Sequence, residues 1–249
     1  MSNTLKVVTL NLAHGRKDAW HQAFLSRAAI KANLDEVVRI LRHEHPDVIA
    51  LQEADAESLW SGRFDHVAYL SEKTGIPHYL LGEHVRALKL AYGTALVSRH
   101  HLHETHSHQF ESSLPTPRKG MVVGMIHWPG KPRLTVDVVS VHLDFSRKSV
   151  RERQAREVIA RLAHRQRPLI LMGDFNCDFR ARDATLNILA KELNLQSHEP
   201  DSSEMISFPG RNKRFDWIMI SAEFAFLEYR TLPDVLSDHR AVVAKLGLV

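Results

Sequence analysis

The sequence predicts an α/β fold in which stacked β-sheets carry helices on their outer faces. Three observations predict it. Short apolar runs of strand length recur along the chain and outnumber the helical stretches. Amphipathic stretches with helical spacing fall between them. Pro and Gly are scattered, with no long polar tract that would read as a linker.

The elements follow in order. Leu5 to Leu12 reads as a strand. Ile30, Leu34, Val37, Val38 and Leu41 recur at helical spacing, and Pro46 closes that helix. Asp47 to Gln52 is then a buried strand. Further strands are expected at Thr94 to Ser98, Met121 to His127, Leu134 to Leu143 and Leu169 to Met172, then at Phe215 to Ile220, Phe226 to Leu232 and Ala241 to Leu246. Two more helices fit about Val150 to Arg165, with Ala155, Val158, Ile159 and Leu162 on one face, and about Arg182 to Leu193. Trp128, Pro129 and Gly130 read as a hairpin turn. No internal repeat is visible, and one domain over residues 1–249 is expected.

Bulk composition narrows the class. The 249 residues are 44% hydrophobic and 25% charged, ordinary values for a globular protein with a sizeable core. The single cysteine, Cys177, excludes an intramolecular disulfide and fits a reducing compartment. Met1 to Leu12 has no leader pattern, and no run is long enough to span a membrane. A soluble, cytoplasmic protein is expected. A formal charge of +4 and a pI of about 9.3 suit an anionic substrate without identifying one.

Several predicted strands end at residues able to bind metal or move protons. They lead into Asn11, Glu53, His142, and the pair Asp174 and Asn176. Ser237-Asp238-His239 precedes the last strand. Each has an ordinary structural explanation when taken singly: a turn, a helix cap or a satisfied core histidine. Together they form a set of hard oxygen ligands and imidazoles that suits Mg²⁺ or Mn²⁺. Paired cysteines and an HExxH run are absent, so zinc-finger and zincin chemistry have little support.

In order, the chain contains TLNLAHG (Thr9 to Gly15), PDVIALQE (Pro46 to Glu53), GTALVSR (Gly93 to Arg99), VVSVHLD (Val138 to Asp144), LILMGDFN (Leu169 to Asn176), RFDWIMIS (Arg214 to Ser221) and LSDHRAVVAKL (Leu236 to Leu246). This series resembles the endonuclease/exonuclease/phosphatase superfamily over nearly the whole chain. The resemblance implies a four-layered α/β sandwich with two central mixed β-sheets flanked by helices. It also implies a divalent-metal-dependent phosphoesterase using Mg²⁺ or Mn²⁺. Glu53, Asp238 and Asn11 match the residues at the metal. Asp174 matches the residue that orients or deprotonates the attacking water. Asn176 would hold Asp174 or a phosphate oxygen, His239 would meet the phosphate, and Asp216 would hydrogen-bond that histidine. His142 matches a position used for phosphate contact or leaving-group protonation.

Weaker signals remain. Arg118, Lys119 and Gly120 precede a strand and could touch a phosphate or form a solvated basic turn. Arg151, Arg153 and Gln154 are read as bracing the loop below the site. His100, His101, His103, His106 and His108 could bind a second metal, but read first as an exposed hairpin. Cys177 reads as a small buried residue. A phosphodiesterase is expected, with nucleic acid slightly ahead of phospholipid or inositol-phosphate substrates. The rival classes are a non-catalytic nucleic-acid-binding or signalling module, against which the full residue set argues, and a metal-storage protein built on the histidine tract.

Overall fold

A computed structural model describes residues 3–87 and 89–249. Met1 and Ser2, where the leader-free reading begins, lie outside the described residues. In chain order the strands are β1 Thr4–Asn11, β2 Val48–Asp55, β3 His78–Ala87, β4 Leu90–Ser98, β5 His103–Gln109 and β6 Gly120–Trp128. They continue with β7 Lys131–His142, β8 Leu169–Asp174, β9 Leu195–Ser197, β10 Asp216–Ser221, β11 Phe224–Thr231 and β12 Val242–Leu248. The helices are α1 Arg27–Glu44, α2 His66–Thr74, α3 Lys148–Leu162 and α4 Thr185–Glu192.

Two six-stranded mixed sheets result, in the orders β11-β12-β1-β2-β4-β3 and β5-β6-β7-β8-β10-β9. β1 and β2 pair in parallel across α1, and β7 and β8 pair in parallel across α3. Side chains alternate between the faces of each strand, and this sorts the core into three apolar layers. Leu5, Val7 and Val48 of the first sheet meet Val138, Ile170, Met172 and Ile218 of the second in a common cluster. Val8, Leu10, Ile49 and Leu51 point the other way, onto Ile30, Leu34, Val37 and Leu41 of α1. Val139, Leu171 and Met219 pack on Ala155, Val158 and Leu162 of α3 and on Leu186 and Leu189 of α4. The four-layered sandwich expected from the sequence is the observed architecture.

Local signals set the element ends. Ser26 caps α1 by accepting from the Ala29 N–H at 3.1 Å, and His45 closes it in the left-handed region. Asp65 caps α2 by accepting from Val67 and Ala68, and Gly75 ends it. The Trp128-Pro129-Gly130 turn does join β6 to β7. The histidine tract is exposed at His101 and His106 and half-buried at His100, His103 and His108, and it forms no hairpin with the preceding strand. β4 and β5 belong to different sheets, and β5 is an edge strand paired only with β6. No helix among the described residues is long and apolar enough to cross a membrane.

Candidate active site

Strand register brings the sequence motifs together. His142, Asp174 and Asp216 lie abreast on β7, β8 and β10, because His142 pairs with Asp174 and Asp174 with Asp216. In the other sheet, Asn11 ends β1. Glu53 sits at an irregularity in the pairing of β2 with β4, with φ of 49°. Its left-handed backbone breaks the alternation and turns the carboxylate toward the cleft. β12 runs antiparallel to β1, so Asp238 and His239, just before it, arrive at the same end.

The cleft measures about 250 Å³, and Asn11, Glu53, His142, Asp174, Asn176, Asp238 and His239 all line it. Asn11 Nδ2 donates to Asp174 Oδ2 at 3.0 Å, a contact that crosses from one sheet to the other. The Asn176 backbone N–H donates to Asp174 Oδ1 at 2.9 Å, while its side-chain amide donates to the Leu143 carbonyl at 3.0 Å. Asn176 therefore holds Asp174 through its backbone. His239 Nδ1 lies 2.8 Å from Asp216 Oδ2, and Nε2 lies 3.8 Å from Asp174 Oδ2. His142 Nε2 lies 3.4 Å from that same oxygen.

These contacts set the proton balance. Burial works against a charged His239, but Asp216 and then Asp174 overcome it and raise its pKa to about 10. Burial pushes Asp174 up to about 7. His239 opposes that rise and Asp216 adds to it. His142 is held well below the usual imidazole value, first by burial and then by Lys119. Burial works against ionised Glu53 too, yet Lys119 and His14 hold its carboxyl far below the usual range.

His14 and Arg16 join the site without having been assigned to it from the sequence, while Lys119, expected to touch a phosphate or form a solvated turn, is buried against the Glu53 carboxylate. Lys119 places Nζ 3.3 Å from Glu53 Oε1 and 3.1 Å from His142 Nε2. Arg118 is exposed and donates instead to Gln109 Oε1 at 3.0 Å. His14 lies 3.6 Å from Glu53 Oε2 and 2.7 Å from Asp55 Oδ2. Arg16 pairs with Asp238. His14 and Arg16 stand just past Asn11 in the AHGR segment, where their spacing from a strand end was the available signal.

Of the three residues read as bracing the loop after β7, Gln154 and Arg151 do so and Arg153 does not. Gln154 accepts from the Asp144 N–H at 2.8 Å, and Arg151 donates to the Asp144 carbonyl at 3.1 Å, fastening the loop after β7. Arg153 faces Glu111 at 3.4 Å near the surface. Cys177 is buried, and burial raises its thiol well above the usual value.

Glu53 is the donor best suited to a divalent cation. It opens to the cleft with Asn11 and Asp238 nearby, and a bound cation would share its carboxylate with Lys119 and His14. Among the described residues, Asp174, Asp216 and His239 also bring ligand atoms within 4.8 Å of one another. Asp216 is fully buried, does not line the cleft and is held by His239 at 2.8 Å, whereas the Glu53 carboxylate opens to the cleft.

The sequence pattern of the Endonuclease/Exonuclease/phosphatase family matches residues 8–239. No curated protein sequence matches the chain. Among solved structures, an endonuclease/exonuclease/phosphatase from Beutenbergia cavernae superposes with a TM-score of 0.77 at 19% identity, covering 99% of this chain and 72% of that one. A mannosyl-6-phosphatase from Bacteroides thetaiotaomicron gives 0.72 at 16% identity, covering 98% and 99%. The human Nocturnin catalytic domain with bound sulfate gives 0.71 at 17%, covering 99% and 94%. At these identities the likeness is one of fold.

Proposed function

The chain belongs to the Endonuclease/Exonuclease/phosphatase family, and on that premise we propose that it is a divalent-cation-dependent phosphodiesterase, folded as one domain over residues 1–249. The carrying observation is the convergence of His142, Asp174 and His239 with Glu53 in one cleft, with Asp216 buried behind His239. Mg²⁺ or Mn²⁺ would be held by Glu53, with Asp238 and Asn11 beside it, and when bound supplies charge neutralisation on the phosphate and leaving oxygen.

The residues divide the remaining work. Asp174, fixed by Asn11 and the Asn176 N–H, orients the attacking water and takes its proton. The water oxygen bonds to phosphorus as the ester P–O bond opposite breaks. His239, kept protonated by Asp216, meets the developing charge on the phosphate oxygens. His142 is neutral and contacts the phosphate, while Lys119 beside it brings the positive charge. Arg118, with its guanidinium on Gln109, is left to an outer phosphate of a long substrate. The lone buried cysteine accords with a cytoplasmic setting.

Nucleic acid is the favoured substrate class. A phospholipid or inositol-phosphate ester is the second reading, and a specific observation favours it: Phe145 lines the cleft and is 53% exposed, while Trp20 and Phe24, beyond Arg16, are 86% and 75% exposed. A non-catalytic binding module would have no use for this complete set of acid, base and metal donors. The test is hydrolysis of bis-p-nitrophenyl phosphate, plasmid DNA and phospholipid vesicles with Mg²⁺, Mn²⁺ or EDTA. Cation-dependent turnover that disappears in Asp174→Asn is expected. Absence of turnover on all three by the folded protein would overturn the proposal.

A further inference from the structure

The end of the sandwich remote from the cleft carries its own cluster of imidazoles. His78 opens β3, His101 lies in the link after β4, His103 opens β5 and His127 lies near the end of β6. β4 runs antiparallel to β2, so its C-terminus lies beside the start of β2 at Val48 rather than near Glu53. In the other sheet, His127 pairs with Thr135, seven positions along β7 from His142. At the rise of a strand this is about 20 Å from the candidate active site.

The four rings touch in sequence as a chain rather than a closed cluster, and among the described residues no three of them hold ligand nitrogens within 4.8 Å of one another before the side chains rotate. Centroids are 5.1 Å apart for His78 and His101, 4.2 Å for His101 and His103, and 5.4 Å for His103 and His127. Imidazoles that share one tetrahedral ion through nitrogens about 2 Å from it keep their centroids roughly 5 Å apart. The side chains are exposed or half-buried, so rotation about their own torsions can bring nitrogens to a common point. Glu104, the adjacent carboxylate, is engaged by Arg167 at 2.7 Å and faces Arg165 at 3.7 Å, which leaves an all-imidazole donor set.

We propose that His101 and His103, joined by His78, His127 or both, form a second metal site for a borderline transition-metal ion of the Zn²⁺ class. All-nitrogen donors select such ions over Mg²⁺. His78 belongs to the first sheet, and His103 and His127 to the second. An ion that takes His78 as a ligand would therefore staple the edges of the two sheets, independently of any hydrolytic function at the other end.

Zn²⁺ titration calorimetry and thermal melting in excess Mg²⁺ test this, with the wild type beside H101A/H103A. The wild type is expected to take up one more Zn²⁺ per chain, and to melt higher with Zn²⁺ present. The double variant should lose that ion, weakening its affinity by about tenfold or more. Equal uptake by the two proteins, or uptake that leaves the wild-type melting temperature unchanged, overturns the proposal. If H101A/H103A fails to fold, judged by circular dichroism, H78A/H127A carries the same comparison.

Discussion

Asp216 Oδ2 stands 2.8 Å from His239 Nδ1, and it is the first of the neighbours that raise the pKa of His239 to about 10. The bond also fixes which ring nitrogen carries the proton facing Asp216, leaving Nε2 toward the cleft.

Asp216→Asn should therefore uncouple charge from position. The amide preserves size but removes the carboxylate charge, so His239 should titrate near or below its ordinary value of about 6.5. Turnover should fall by roughly 10²- to 10³-fold at neutral pH, with the loss deepening as pH rises through that value. Imidazole NMR and a pH–rate profile check it; a His239 that stays protonated at pH 9 in the variant would refute the assignment.

Glu53→Ala should abolish the response to Mg²⁺. We expect turnover to vanish, cation affinity to fall by at least about tenfold, and the rise in melting temperature on adding Mg²⁺ to disappear. Calorimetry and melting curves read these separately from activity.

Lys119→Met leaves Glu53 without its nearest cation. Lys119 is 6% exposed but the Glu53 side chain is 23% exposed, so solvent screens part of the loss. We expect destabilisation of about 1–3 kcal/mol in EDTA, and a smaller loss in saturating Mg²⁺, which would take over the role of counter-charge. Equal losses in both conditions would show that Lys119 acts only through packing.

His84 predicts an acid-sensitive fold. It is buried with Nε2 2.8 Å from Thr94 Oγ1, and desolvation, then His108 and Lys119, lower its pKa to about 3. Its unfolded value is about 6.5, so between these pH values the unfolded chain holds the extra proton. Stability is then full above about pH 6.5 and falls with decreasing pH, at about 1.4 kcal/mol per unit from this group. Denaturant melts of His84→Gln between pH 7 and 4 should show a shallower decline than the wild type.

Much of the site was legible because β1, β2 and β8 are apolar runs that end at polar residues, and those ends became the cleft. The elements that escaped notice lack that contrast. α2 buries His66 and Ser71 along with Val67 and Leu70, which blurs its apolar stripe. β3 and β5 are edge strands, so polar residues such as Glu83, Arg86 and the histidines can face solvent. His14 was hidden for another reason, and so was the partner of Lys119, which the sequence offered only as a phosphate contact or a turn: their contacts with Glu53 span 39 and 66 positions, which no local pattern records.

His84 occupies a slot for which the chain keeps three positions small. A Cβ on Gly82, Gly93 or Gly120 would come within 2.9 Å of the imidazole, and one on Gly93 would also meet the Gly82 carbonyl at 1.9 Å.

Asn11 and Asp174 belong to different sheets, yet a single hydrogen bond joins them in the cleft. The cleft thus works as an alignment gauge for the sandwich. Shear of one sheet over the other by about 1 Å would pull the amide off the carboxylate, a misplacement of the size that costs about 10²-fold in rate. Substitutions in the apolar seam at Val48 or Met172, remote from any substrate, should accordingly be felt as lost turnover before they are felt as lost fold.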